Sequence, residues 1–158
     1  MAEKEFLDWQ KEASKNGKMF EMQLQQFHEN SFHPHLNQLY EGIMNLNYQQ
    51  ISTTANAFRG YFAQIGVFCC SQLLHQIQTA SYRKDITHIL QCYLTFLREA
   101  KPLEIEIAKT RKKVPDTDKF KTWKEDVVKK YSEYLKDCPE AELNESCFRP
   151  CEIKCNVF

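Results

Sequence analysis

Residues 36–77, LNQLYEGIMNLNYQQISTTANAFRGYFAQIGVFCCSQLLHQI, decide the fold. Leu36, Leu39, Ile43, Leu46, Ile51, Ala55, Phe58, Phe62, Ile65, Cys69, Leu73 and Ile77 recur mostly at steps of three and four. That is the period of a helix with one apolar stripe, whereas a half-buried strand would alternate. Gly42, Gly60 and Gly66 lie inside the run, each costing about 1 kcal/mol of helix propensity relative to alanine. The pattern predicts one long helix, kinked or split near Gly60. Phe58, Tyr61, Phe62 and Phe68 are expected in the middle of the core.

Upstream, residues 2–32 are helix formers broken at Asn16-Gly17, with Phe6, Trp9, Phe20, Leu24 and Phe27 on the apolar side. His33-Pro34-His35 should end this segment, because the residue before a proline is pushed out of the helical region and proline suits a new first turn. Downstream, Ser81 or Asp85 can cap a third helix. Its stripe is Ile86, Ile89, Leu90, Tyr93, Phe96 and Leu97, and Pro102 should end or kink it near Lys101. Leu103 to Ile107 alternates apolar and acidic residues like a strand, but a lone strand would have no partner, so a helical continuation is expected. Pro115 with Asp116 or Thr117 opens the last helix, whose face carries Phe120, Trp123, Val127, Tyr131, Tyr134 and Leu135. Asp137-Cys138-Pro139 stops it. The expectation is an all-α, antiparallel four-helix bundle over residues 1–138 with a long second helix, followed by a flexible C-terminal tail over 139–158.

Composition narrows the function. The 158 residues suit one domain with a single core. Four glycines leave no Gly-x-x-x-x-Gly-Lys-Ser/Thr loop to cradle phosphates, so a nucleotide switch is excluded. Lysine plus arginine equals aspartate plus glutamate at 21 each, which gives nucleic acid no basic excess to bind. The charged N-terminal stretch resembles no signal peptide, and the seven cysteines are therefore expected as reduced thiols.

The histidines and cysteines show no metal-site spacing. His28, His33 and His35, or Cys69-Cys70 with His75, match neither the CxxC pairs of structural zinc nor HExxH. No metal or other cofactor is expected. No Cys–His pair is singled out as a nucleophile, so the sequence gives no ground for an enzyme. Cys69 and Cys92 read as small buried hydrophobes.

Two features point to a membrane surface. Cys155-Asn156-Val157-Phe158 fits the prenylation pattern, with a terminal Phe that favours geranylgeranyl on Cys155. Cys151 and Cys147 are candidate palmitoylation sites, and a second signal matters because one lipid chain alone binds weakly. The basic residues Lys109, Arg111, Lys112, Lys113, Lys121 and Lys124 form a candidate lipid-facing patch, each contributing about 1 kcal/mol near an anionic leaflet. The interleaved acidic residues also fit an ordinary solvated helix face. Tyr40, Met44 and Tyr48 lie beside the apolar stripe and could form a patch for a partner or a second copy, or simply widen the core face. The main expectation is a cytoplasmic, membrane-peripheral helical adaptor with protein partners, a homodimer among them. The alternatives are a soluble, non-lipidated interaction protein and a secreted helical signalling protein.

Overall fold

In the computed structural model, which describes residues 2–136, four helices end in the same closure. At the first, the Asn47 N–H reaches the Gly42 carbonyl at 2.8 Å while the Leu46 N–H reaches Ile43. The same pair of bonds recurs at Gly66-Val67, Lys84-Asp85 and Lys112-Lys113. This six-to-one, five-to-two pattern is the Schellman motif, which needs a left-handed residue just past the helix. Leu46, Gly66, Lys84 and Lys112 occupy it, with φ of 50°, 76°, 55° and 57°. Glycine fills only one of the four.

These closures divide the chain. The described residues contain seven α-helices of nine residues or more and no strand: α1 Ala2–Ala13, α2 Lys18–Gln26, α3 His33–Met44, α4 Tyr48–Gln64, α5 Phe68–Tyr82, α6 Ile86–Thr110 and α7 Asp118–Lys130. A 3₁₀ turn (Ser14–Asn16) follows α1, and a single helical turn (Ser132–Leu135) follows α7. The all-α class holds, with seven helices where four were expected. The predicted long second helix is three, α3, α4 and α5, parted at 45–47 and 65–67. Gly60, the expected break, is interior to α4 with open space around its Cα. Gly42 also stays helical: a Cβ there would lie 3.1 Å from Ile51 Cγ1 and 3.3 Å from Ile51 N, so it marks the close crossing of α3 and α4.

Two prolines do less than expected. The segment ending at His33-Pro34-His35 does not stop; Phe27–Phe32 forms a π-helix that runs directly into α3. Pro34 has no N–H for the carbonyl one α-turn back and its ring crowds that carbonyl, and the wider π-turn accommodates both. Pro102 lies inside the 25-residue α6. The helix persists past it because Leu103, Glu104, Ile107 and Ala108 are all buried, and tertiary packing outweighs the lost bond. Asp85 caps α6 by accepting from the His88 N–H at 3.2 Å.

Helix α4 forms hairpins with α3 on one side and α5 on the other; α5 packs on α6, α1 lies against α5 and α6, and α7 bridges α6 and α3. The core centres on Phe58, Phe62 and Phe96, whose rings lie 4.7–5.9 Å apart, with Phe32 6.0 Å from Phe62. Each such ring contributes roughly 1.5–3 kcal/mol by leaving water. Cys69 and Cys92 are buried as expected. Phe68 is not in the core: it opens α5 and is 57% exposed, while Tyr61 is half-buried. Tyr40, Met44 and Tyr48 pack partly buried against the core and form no open apolar patch. Tyr40 stacks on Trp123 at 5.2 Å and donates to Asp126 at 2.8 Å, and Tyr131 donates to the Ile43 carbonyl, so α7 is fastened to α3. No described helix is long and apolar enough to cross a membrane. Residues 139–158, read as a tail, lie outside the described residues.

Candidate functional site

The π-turn sets up a polar cluster that joins His28, His33, Glu104 and Arg111. The His33 backbone N–H bonds to the His28 carbonyl, five residues back. In an α-helix residues five apart point well away from each other, but a wider turn returns them to one side. Their imidazole centroids are 4.2 Å apart. Both Nε2 atoms reach one carboxylate oxygen, Glu104 Oε1 on α6, at 2.8 Å from His28 and 2.7 Å from His33. The other oxygen, Oε2, accepts the Asp116 backbone N–H at 3.1 Å.

Arg111, just past the end of α6, completes the network. Its Nη1 lies 2.9 Å from His28 Nδ1 and its Nη2 donates to Glu29 Oε1 at 2.6 Å. A guanidinium only donates, so His28 Nδ1 accepts and the ring proton sits on Nε2, aimed at Glu104. Burial pushes the Glu104 carboxyl up, but hydrogen bonds from His28, His33 and the Asp116 amide outweigh it and bring it down to about 2. The carboxylate is thus ionised and His33 also donates to it. Glu29, on the surface, is held below its ordinary value by the Arg111 hydrogen bond. Glu104 is 1% exposed, and a carboxylate that far from water survives only when its lone pairs are satisfied and a countercharge is near.

His28, His33 and Glu104 bring three donor atoms within 4.8 Å of one another, which invites a metal reading. The donor set does not fit one. An ion between these residues would displace the His28 proton from Nε2 to Nδ1, where it would face the Arg111 N–H donors. Metal-bound histidines give that second N–H to an acceptor, and here a cation takes its place. The cluster instead acts as a clamp. It ties the π-turn to α6 and holds both ends of the 111–117 loop, at Arg111 and at Asp116.

The loop between those ends faces outward. Lys112 and Lys113 are exposed and Val114 is 91% exposed. Of the predicted lipid-facing residues, Lys109, Lys112, Lys113 and Lys121 are exposed and Lys124 is half-buried. Arg111 does not belong with them: its side chain is 10% exposed and turned inward to His28 and Glu29. Lys119, from the same basic region, folds over the Phe120 and Trp123 rings at 5.7 Å and pairs with Asp116 at 3.8 Å. Cys147, Cys151 and Cys155 lie outside the described residues.

Spacing rules passed over Glu104, Asp116 and Glu29, and did not join His28 to His33. The one sequence signal was two histidines five apart just before a proline, which is π-helix spacing. No family model, curated protein or solved structure matches this chain.

Proposed function

We propose that this protein is a non-enzymatic, membrane-peripheral helical adaptor, in which the clamped 111–117 loop touches an anionic leaflet and a lipid on Cys155 supplies the main anchor. The observation that carries the reading is the loop. Two exposed lysines and a valine that is 91% exposed follow directly on Arg111, while Arg111, Glu104 and Asp116 fix the loop's base. A preset loop loses less conformational entropy on docking than a flexible one. Each lysine adds about 1 kcal/mol near an anionic surface, the scale a single lipid chain needs as a second signal. A prenyltransferase reads Cys155 only where Phe158 carries the free carboxylate. The helical body then offers its remaining faces to protein partners in the cytoplasm.

The test uses the full chain from eukaryotic cells. Intact mass should show a geranylgeranyl group and loss of the last three residues, both absent in Cys155→Ser; an unmodified chain contradicts the anchor. The protein should then prefer phosphatidylserine vesicles over phosphatidylcholine vesicles, and Lys112→Glu with Lys113→Glu should cut that preference about tenfold or more. An unchanged preference contradicts the role of the loop.

A further inference from the structure

Helix α6 is covered on most of its surface. Among the described residues it exposes only three of its 25 side chains, Lys101, Ile105 and Lys109. Steps of four keep them on one side of the helix. The line runs on past the helix end into exposed Lys112, Lys113 and Val114, so every exposed side chain from 98 to 115 is lysine or aliphatic. Ile105 is 38% exposed and has a lysine one turn before it and one turn after. Of the acidic residues in the same stretch, Glu104 is buried against two histidines, Glu99 accepts the Ala2 N–H at 3.3 Å, and Glu106 is half-buried. Asp116, exposed just beyond, pairs with Lys119 at 3.8 Å.

We propose that this side of α6 lies flat on an anionic leaflet, with Lys101 and Lys109 at headgroup level and Ile105 and Val114 entering the acyl boundary. The proposal rests on reading the 111–117 loop as membrane-facing, and it extends that contact by about 12 Å along the helix. A helix face that only meets water ordinarily mixes both signs of charge. Lysines flanking an aliphatic side chain, with no exposed carboxylate among them, are the composition of an interfacial helix face. Charge complementarity names the occupant: the ammonium groups gain from the negative potential of the leaflet, and a shallow aliphatic side chain gains from the boundary beneath it. A soluble polyanion would engage the lysines but leave Ile105 in water.

The test uses the full chain carrying Cys155→Ser, so that no prenyl group on that residue contributes. On phosphatidylserine-containing bicelles doped with a spin-labelled lipid, the ¹⁵N amide signals of Ile105 and Lys109 should broaden along with that of Val114, while that of exposed Thr53 on α4 should not. Lys101→Glu with Lys109→Glu should weaken binding to phosphatidylserine vesicles about tenfold or more, and Ile105→Ser about threefold or more. These side chains are exposed, so the melts of both variants should match that of the parent. Binding that Lys112→Glu with Lys113→Glu reduces but Lys101→Glu with Lys109→Glu leaves unchanged overturns this proposal and leaves the loop reading standing. Absence of any preference for phosphatidylserine overturns both. If Ile105→Ser has no effect and the lysine variant loses heparin and vesicles alike, the surface serves a soluble polyanion and the proposal fails.

Discussion

His33 donates its backbone N–H to the carbonyl of His28, and the imidazoles of the same two residues converge on Oε1 of Glu104. The backbone irregularity and the polar cluster are one feature. Without the π-turn, His28 and His33 would point to different sides of a regular helix and Glu104 would lose one donor in the core.

That dependence gives the protein an acid-sensitive contribution to stability. The folded Glu104 carboxyl titrates at about 2, against an ordinary value of 4.5. A depressed carboxylate stabilises the fold above its unfolded value, and the contribution fades as pH falls from about 4.5 toward 2. Its full size is on the order of 3 kcal/mol, since each pKa unit corresponds to about 1.4 kcal/mol. Urea unfolding of wild type and Glu104→Gln should differ by roughly that amount at pH 6, and the gap should shrink below pH 4.5 and nearly close by about pH 2. A constant gap across this range would assign the loss to packing instead of charge.

Divalent metal should not stabilise the fold. With His28 fixed as an Nε2–H donor by Arg111, a tenfold excess of Zn²⁺ should move Tm by no more than about 1 °C. Binding at 100 times Kd would add about 2.7 kcal/mol, which for a chain of this size is a shift of several degrees. A rise of that kind, lost in His33→Ala, would restore the metal reading.

The glycines predict opposite signs for one substitution. Gly60→Ala, in open space within α4, should gain up to about 1 kcal/mol from helix propensity. Gly42→Ala gains the same propensity but drives a Cβ against the backbone and side chain of Ile51, so it should lose net stability. Gly66→Ala leaves its surroundings untouched but places a Cβ at φ 76°, a cost of about 1–2 kcal/mol. Thermal melts of the three variants check the order Gly60→Ala, then wild type, then the other two.

The all-helical class was legible because the three- and four-residue rhythm of 36–77 survives its turns, and each three-residue closure barely disturbs the phase. The turns themselves were not, because Leu46, Lys84 and Lys112 hold positions where glycine is expected, while Gly42 and Gly60 mark none. The inward turn of Arg111 was hidden for a related reason. Its partners Glu29 and His28 lie more than eighty residues away, so a local charge count grouped it with its exposed neighbours. Pro34 misled in the other direction: a helix stop on local sterics, it is tolerated because the chain widens before it.

The most direct test of the clamp is hydrogen exchange at the Asp116 amide, which donates to Glu104 Oε2 at the far end of the loop. In the wild type this amide should exchange at least tenfold more slowly than that of Val114, a ratio of about 1.4 kcal/mol in opening free energy. Glu104→Gln should remove most of that difference while α4 and α5 keep their protection. An Asp116 amide that exchanges as fast as that of Val114 in the wild type would mean that the cluster does not hold the loop, and the account of how Lys112 and Lys113 are presented would fail.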